Sequence, residues 1–452
     1  MTIPTLHAPG AVPIVRFRLR HLAGESLWLV PAFYVVVALL LVGVTELLPT
    51  IDLISGPEVD ATLLTSVASG TLALAGFVIT ISFITVEFAS IAMSPRLVGI
   101  LRRDRQLKRA LGLSFGAFVY STIGALLVRD DEQSVDDVFG IVATSWSILA
   151  AIWFVVMLDR VTNTLRVGNA VAVVGDQARR ELEIVHPLPF GAAPDGSGVD
   201  SVAPEGAPRP ADASPDATSI AIVETAEPAR WDGDFDAPPT QRFLVDGPGV
   251  LAHDGRPGTL VAIDAARLAA LARERDSQVR LLVPIGRFVP AGSALLRVDG
   301  ETDADWPESL RPTLAFASEP TLAHDPRHAF RVLVDIGLKG LAPGVNDPTT
   351  AVQAIDQMHD LLRRLAWRQL GEHRITDADG VVRVILPAPT FGHYLRLACE
   401  ELADFGARHA QVRRHLRVML DDLVAWAPPE RREVALHQRE HTGRALAALR
   451  AS

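Results

Sequence analysis

Residues 27–48, LWLVPAFYVVVALLLVGVTELL, hold a single ionisable side chain, Glu46, close to their end. A helix rises about 1.5 Å per residue, so about 20 apolar residues cross a bilayer's hydrocarbon core, and this run is long enough. Residues 63–86, 111–128 and 139–158 qualify on the same grounds. Four such runs within the first third of a chain leave little choice of solvent: they fold as a membrane bundle or present an untenable apolar surface to water. Glu46-Leu47-Leu48-Pro49 follows the first run where a cleaved signal peptide would carry small residues, so the run is read as a retained span.

Charge then predicts orientation. Arg16, Arg18 and Arg20 precede the first run; Arg96, Arg102, Arg103, Arg105, Lys108 and Arg109 lie between the second and third; Arg160 and Arg166 follow the fourth. The other two loops are acidic, with Asp52, Glu58, Asp60, Asp130, Asp131, Glu132, Asp136 and Asp137 against Arg129. An excess of Arg and Lys marks the cytoplasmic side, which predicts a multi-pass protein of the plasma (inner) membrane with both termini inside. The net charge of −10 reflects this topology and an acidic linker, and the basic loop carries no nucleic-acid-binding signature. The one cysteine, Cys399, sits in a helical apolar pattern and reads as core.

Within the spans two patterns carry information. Gly112 and Gly116, continued by Gly124, form a small-residue stagger that lets helix backbones approach closely, within the bundle or between copies. Thr80 belongs to a hydroxyl-rich second span, with Ser66, Ser69, Thr71, Ser82 and Thr85, whose oxygens bond back to their own helix or line a polar path. Glu87, nearest the end of that span, is the carboxylate to ask about for transport.

The expected organisation is a four-span domain with a helical extension over 1–185, a flexible acidic linker over 186–240, a small β-rich domain over 241–325 and a helical cytoplasmic domain over 326–452. The fold class is membrane α-helical followed by a cytoplasmic α+β region with a small β-sandwich-like unit. Between residues 187 and 240 ten carboxylates and ten prolines accompany two arginines, a composition that buries too little to order itself; 219–223 is the one strand candidate there. Strands are expected at 243–245, 259–263, 279–283 and 294–298, with a helix over 265–274. The stretch LLVPIGRFVPAGSALLRV has the look of strand pairs in lipoyl- and biotinyl-type domains, but 241–299 contains no lysine, so no carrier arm is expected.

In GLKGLAPGVNDPTTAV, Pro343-Gly344 ends one helix and Asp347-Pro348 starts the next, Asp347 as N-cap and Pro348 in the first turn, where no amide donor is required. Arg331, Asp335 and Lys339 recur every four residues on one face beside it, with Asn346 close by. They are either a surface ion-pair ladder or, with the amides of the second helix, a ligand or gating site for a small ion or anion. His437-Gln438-Arg439-Glu440-His441 matches H-x-x-E-H, yet chance explains it better than zinc chemistry, and no nucleophile elbow, phosphate loop or dinucleotide fingerprint occurs. No metal, cofactor or catalytic residue is assigned, and the balance leans away from an enzyme.

The stretch RVLVDIGLKGLAPGVNDPTTAVQAID closely resembles the domain of unknown function 2254 family of bacterial predicted membrane proteins, whose hallmark looks like L-V-D-I-A-L-x-A-L-S-P-G-I-N-D-P-x-T-A. The likeness extends to Ser94-Pro95-Arg96 and to the glycine hairpin around Gly286, Phe288, Val289 and Gly292. Of the family's R-x-x-E-Q-D before the corner only Asp325 is retained, Ala342 replaces a serine, and Ile285 replaces a proline. The resemblance implies a membrane location and an architecture. From the residues themselves the expected activity is that of a channel or transport-like protein, a homo-oligomer in the lipid bilayer whose cytoplasmic domain senses a ligand. The alternative is a non-conducting membrane-anchored scaffold or sensor that docks a protein partner.

Overall fold

A computed structural model describes residues 28–47, 59–92, 105–127, 134–135, 137–164, 167–190, 249–300, 306–377 and 379–451. They fall into two compact units that divide between Ala170 and Val171. The basic loop 96–103, the strand candidates 219–223 and 243–245, and all but the first residues of the acidic linker lie outside the described residues.

The first unit holds α1 (Leu29–Leu47), α2 (Ala61–Ala92), α3 (Arg105–Leu127) and α4 (Asp137–Thr164). Thr62–Phe88, Gln106–Leu127 and Val138–Thr162 are long and apolar enough to cross a membrane, and Leu29–Thr45 is a shorter apolar helix. Two short strands, β1 (Val59–Asp60) and β2 (Ser134–Val135), pair antiparallel beside the starts of α2 and α4. Helix α3 is the most buried of the three long ones and packs on α1, α2 and α4. The buried positions are mostly small, Ala38, Ala117, Ala143 and Ala150, around Leu64 and Tyr120, while Phe33, Leu40, Phe77, Phe83, Ile152 and Val155 point outward. Large apolar groups outside and small ones inside suit a bundle whose solvent is hydrocarbon, since burying leucine then yields no hydrophobic gain and close approach matters more.

The second unit begins with α5 (Val167–Val185), most of which belongs to it, and continues as a mixed α/β structure. Its strands are β3 (Val250–Ala252), β4 (Gly258–Ile263), β5 (Gln278–Leu281), β6 (Phe288–Val289), β7 (Ala294–Asp299), β8 (Leu314–Ala317), β9 (His373–Thr376) and β10 (Val382–Leu386). Five make one sheet in the order β3-β7-β5-β10-β9, antiparallel except where β10 runs parallel to β5; three make an antiparallel sheet, β6-β4-β8. Helix α6 (Ala265–Glu274), N-capped by Asp264, contributes Ala265, Leu268 and Ala272 to a core shared with Leu260, Val279, Leu296 and Val384. The β-rich region and the later helical region are thus joined through one sheet. Strand β10, VRVIL, is apolar apart from Arg383, which pairs with Asp377 at 2.7 Å, and its last four residues are buried on both faces, which suits an inner strand over an edge.

After a short helix α7 (Trp306–Ser309) come α8 (Pro326–Leu341), α9 (Pro348–Ala366), α10 (Phe391–Gly406), α11 (Ala410–Trp426) and α12 (Pro429–Ala451). Helix α8 packs on α9 and α10, α11 on α9 and α12, and α12 on α10. Residues 186–190, at the start of the expected linker, are ordered against the end of α9: Phe190 N donates to Trp367 O at 2.9 Å and Gln369 N to Leu188 O at 2.8 Å.

Candidate functional site

The corner between α8 and α9 is built locally. Asp347 accepts hydrogen bonds from the amides of Thr349 (3.1 Å) and Thr350 (3.3 Å) and from the Thr350 hydroxyl (2.6 Å), so its carboxylate serves the first turn of α9. Asp347 N donates to Gly340 O at 2.8 Å, and a Cβ on Gly340 would lie 2.8 Å from Asp347 O and 3.1 Å from Thr350 Cβ. Gly340 therefore admits the tight return of the chain. Asn346 takes the left-handed conformation, φ 48°, that the turn requires and that asparagine tolerates well.

The charged face beside the corner is a network. Arg331 donates to Asp335 (Nε to Oδ1, 2.9 Å) and to both oxygens of Glu401 on α10, the longer of those contacts being 2.8 Å. Glu401 and Asp335 hold the guanidinium pKa above its ordinary value against the opposing effect of burial. Arg331 is thereby occupied by two carboxylates, which makes it a poor anion receptor. Lys339 is half-buried one turn beyond Asp335, and Asn346 is exposed. Helix α8 thus gathers Arg331 and Asp335 into one cluster with a residue, Glu401, that the spacing of the sequence did not reveal.

In the membrane unit a Cβ on Gly112 would collide with the Tyr34 ring, one on Gly116 would lie 2.7 Å from Trp146 Cζ2 and 3.2 Å from Tyr34 O, and one on Gly124 would lie 2.8 Å from Phe139 Cδ1. These glycines seat aromatic rings of α1 and α4 inside the bundle. The Thr80 hydroxyl donates to Gly76 O at 2.9 Å, and Ser66, Ser69, Thr71, Ser82 and Thr85 each donate to the carbonyl one turn back.

A second constellation, dispersed in the sequence, converges in the α/β unit. His186 follows the end of α5, His324 and Asp325 precede α8, His373 starts β9 and Tyr394 lies in the first turn of α10. All five line one pocket of about 40 Å³ whose other walls include Ile263, Val283, Pro284, Ile285 and Leu386. His186, Asp325, His373 and Tyr394 are 1%, 6%, 4% and 0% exposed, so this is an interior polar site. His186 Nε2 lies 3.3 Å from the Tyr394 hydroxyl, and the His186 and His373 rings meet edge to face with centroids 5.6 Å apart.

Each environment has a physical cause. Burial holds His186 well below its ordinary range, with His373, Arg431 and Arg368 adding to the effect, and burial brings His373 down to about 4. Burial, then the charge of Asp325, pushes the Tyr394 phenol up. Both imidazoles are therefore neutral at pH 7, and each offers one lone pair and one N–H. Asp325 N-caps α8, accepting from His328 N at 3.3 Å, and a Cβ on Gly286 (φ 83°) would strike Asp325 Oδ2. His324, at φ 63°, is a non-glycine residue in a conformation that costs free energy and recurs at binding sites.

Of this pocket's lining only Ile285 and Asp325 stood out in the sequence, as parts of separate stretches resembling a family pattern. His186, His373 and Tyr394 have no spacing to betray them. Cys399 is buried and pushed up to about 12 mainly by burial, consistent with a core residue. His437, Glu440 and His441 are exposed on α12, and no group of three His, Cys, Asp or Glu side chains placed to hold a metal occurs among the described residues.

A unit with three helices long and apolar enough to cross a membrane, followed by a mixed α/β unit, points to the class of membrane proteins. The family described as predicted membrane protein (DUF2254) matches residues 24–422, and the chain belongs to it. Proteins of Mycobacterium bovis and Mycobacterium tuberculosis, both described as uncharacterized, are each 26% identical to it over 427 residues, covering 91% of this chain and 74% of theirs. No solved structure matches the chain.

Proposed function

We propose that this is a membrane-anchored sensor: four helices span the plasma membrane with both termini cytoplasmic, and the α/β unit binds a small polar ligand in its His186–His373–Tyr394 pocket. The pocket carries the reading. Burying two imidazoles, a carboxylate and a phenol among apolar walls, with the half-buried His324 beside them, costs stability, and such costs are characteristic of functional sites. The arginine-rich flanks support the orientation. The corner residues Arg331, Asp335, Lys339, Asn346 and Asp347 then act as the frame that seats α8 and α9.

Hydrogen exchange of the full-length protein in nanodiscs, with and without a small-metabolite extract, tests this. Protection confined to the segments around 186, 324–325, 373 and 394 is expected; unchanged exchange there across extracts would remove the sensor.

One observation favours a second reading, an oligomeric channel regulated by the same unit. Thr62, Ser66, Ser69, Ala73, Gly76 and Thr80 are exposed along α2, and small residues of this kind suit close packing between copies. Ion flux through reconstituted protein separates the two. No flux is expected; selective flux abolished by Gly76→Leu would favour the channel.

A further inference from the structure

Ion pairing is the habit of arginine in the α/β unit. Arg179, Arg280, Arg331, Arg363, Arg364 and Arg383 each form a salt bridge. The turn from α10 to α11 departs from it. Residues 405–420, FGARHAQVRRHLRVML, contain Arg408, Arg413, Arg414 and Arg417 and no Asp or Glu. Arg413 serves the turn itself, donating to Ala407 O. Arg408, Arg414 and Arg417 are exposed and have no carboxylate partner among the described residues. Of the carboxylates that border the run, Glu401 is held by Arg331 and Asp421 by Arg439, and Asp404 stays exposed.

The same surface carries apolar groups that the core does not use. Helix α11 buries Val412, Leu416, Met419, Leu420 and Leu423 on one side. On the other, Ala410, Arg414, Arg417 and Val418 recur at a spacing of three or four residues and all are exposed. Val418 is 55% exposed, and Phe405, in the last turn of α10, is 67% exposed. Three guanidinium groups without partners, flanked by an aromatic and a branched aliphatic side chain in water, form a surface with both charge and apolar reach.

That pairing of properties selects the partner. An anionic bilayer surface answers both halves at once: phosphate headgroups take the guanidinium groups, and the boundary of the acyl layer takes the ring and the aliphatic group. Each arginine close to such a surface adds about fivefold to binding. Two residues, 165 and 166, separate the last apolar helix, α4, from α5, so a bilayer is always within the chain's reach.

We infer that the α10–α11 turn is a docking surface for the anionic headgroups of a lipid bilayer, with Arg408, Arg414 and Arg417 against phosphates and Phe405 and Val418 at the edge of the acyl layer. This surface is separate from the His186–His373–Tyr394 pocket, and the inference stands or falls without the sensor reading.

The test uses full-length protein carrying Ala410→Cys with a fluorophore on the new thiol; Cys399 is 0% exposed, so the label is confined to the turn. The protein is placed in nanodiscs of phosphatidylcholine, or of phosphatidylcholine and phosphatidylglycerol in equal parts, each containing lipid spin-labelled at the headgroup. Quenching is expected in the anionic discs, with slowed hydrogen exchange over 405–418, and much less of both in phosphatidylcholine. Salt at about 1 M, where the Debye length is about 3 Å, should weaken the quenching. Arg414→Gln with Arg417→Gln should lower the docked-to-free ratio about tenfold or more. Neither side chain has a salt bridge to lose, so Tm should stay unchanged and a folding defect is told apart. Phe405→Ser should lower the ratio as well, and an unchanged ratio would overturn the apolar half of the contact. Equal quenching in the two lipids, or full quenching in the double arginine variant, would overturn the inference. Slowed exchange without quenching would overturn it too, because the turn would then be covered by protein, whether an acidic segment of this chain or a second copy.

Discussion

The two units solve the problem of polar groups in opposite ways. In the bundle, the α2 hydroxyls of Thr71, Thr80 and Thr85 donate to the carbonyl one turn back on their own helix, and three glycines of α3 receive aromatic rings of α1 and α4. In the α/β unit, charged groups bridge elements: Arg179 of α5 reaches Asp360 of α9 (2.7 Å), Arg331 of α8 reaches Glu401 of α10, and Arg363 of α9 reaches Asp422 of α11 (3.0 Å). The difference follows from the solvent. Hydrocarbon cannot compete for a hydrogen bond or reward apolar burial between helices, so shape decides the packing; water does both, so the core is apolar and the ion pairs sit around it.

If shape holds the bundle together, filling a glycine notch is the most damaging single change. Gly116→Leu forces Trp146 and the Tyr34 backbone apart, whereas Gly43→Leu enters space with nothing within 4 Å of the new Cβ. Overpacking of this kind should cost on the order of 4 kcal/mol. Unfolding in detergent should show a large loss for Gly116→Leu and little for Gly43→Leu, and equal behaviour would refute ring-on-glycine packing.

The next largest effect belongs to the α/β unit alone. His186 and His373 have folded-state pKa values below that of the unfolded chain, so the unfolded state takes up protons first as pH falls. Their contribution is present above about pH 6.5 and is lost as pH drops toward about 4, where His373 titrates in the folded state. For His373 the loss over that window should be on the order of 3 kcal/mol. Hydrogen exchange of β9 and α10 at pH 7.0 and 4.5 measures it, and His373→Gln should flatten the dependence. A flat profile in the unchanged protein would mean that the imidazoles are solvated.

What could be read in the sequence divides along the same line. Local rules located Asp347 and Pro348 at the start of α9 and the amphipathic α6 at its observed bounds, because caps and periodicity act within a few residues. Strand β4 was legible for the same reason, as a short apolar run bounded by turns. Apolar length identified the helices of the bundle, but not that Gly112 would receive Tyr34 or Gly116 Trp146, since glycine spacing names a notch without naming its occupant. The occupation of Arg331 by Glu401, and the meeting of His186 with His373 and Tyr394, depend on contacts between distant segments. One of those segments is β9, which reaches the sheet through β10. A lone histidine beside a proline or at the start of a strand carries no local mark of burial.

Smaller effects sharpen the comparison. Asp347→Ala removes the cap of α9 and should cost about 1 kcal/mol in the α/β unit. Asp347→Asn, which still caps, should recover most of it. Chemical denaturation monitored at α9 distinguishes this local role from a ligand site, because a cap is rescued by asparagine whether or not any ion is added.

The smallest predicted change is the most discriminating for the bundle. Thr80→Val keeps the branched shape of the side chain and removes one hydroxyl, whose hydrogen bond runs to Gly76 on the same helix. The Gly76 carbonyl retains its place in the helical ladder, so no polar group is stranded, and the change in stability should stay within about 0.5 kcal/mol. Interhelical hydrogen bonds in membranes average only about 0.6 kcal/mol, so stability alone separates the cases poorly and the comparison must include assembly. Thr80 is exposed along the small-residue stripe of α2. If that stripe faces lipid, Thr80→Val leaves the sedimentation behaviour of the detergent-solubilised protein unchanged; if it joins copies around a polar path, loss of the hydroxyl weakens the oligomer or alters flux, and the account of α2 as a helix that satisfies itself fails.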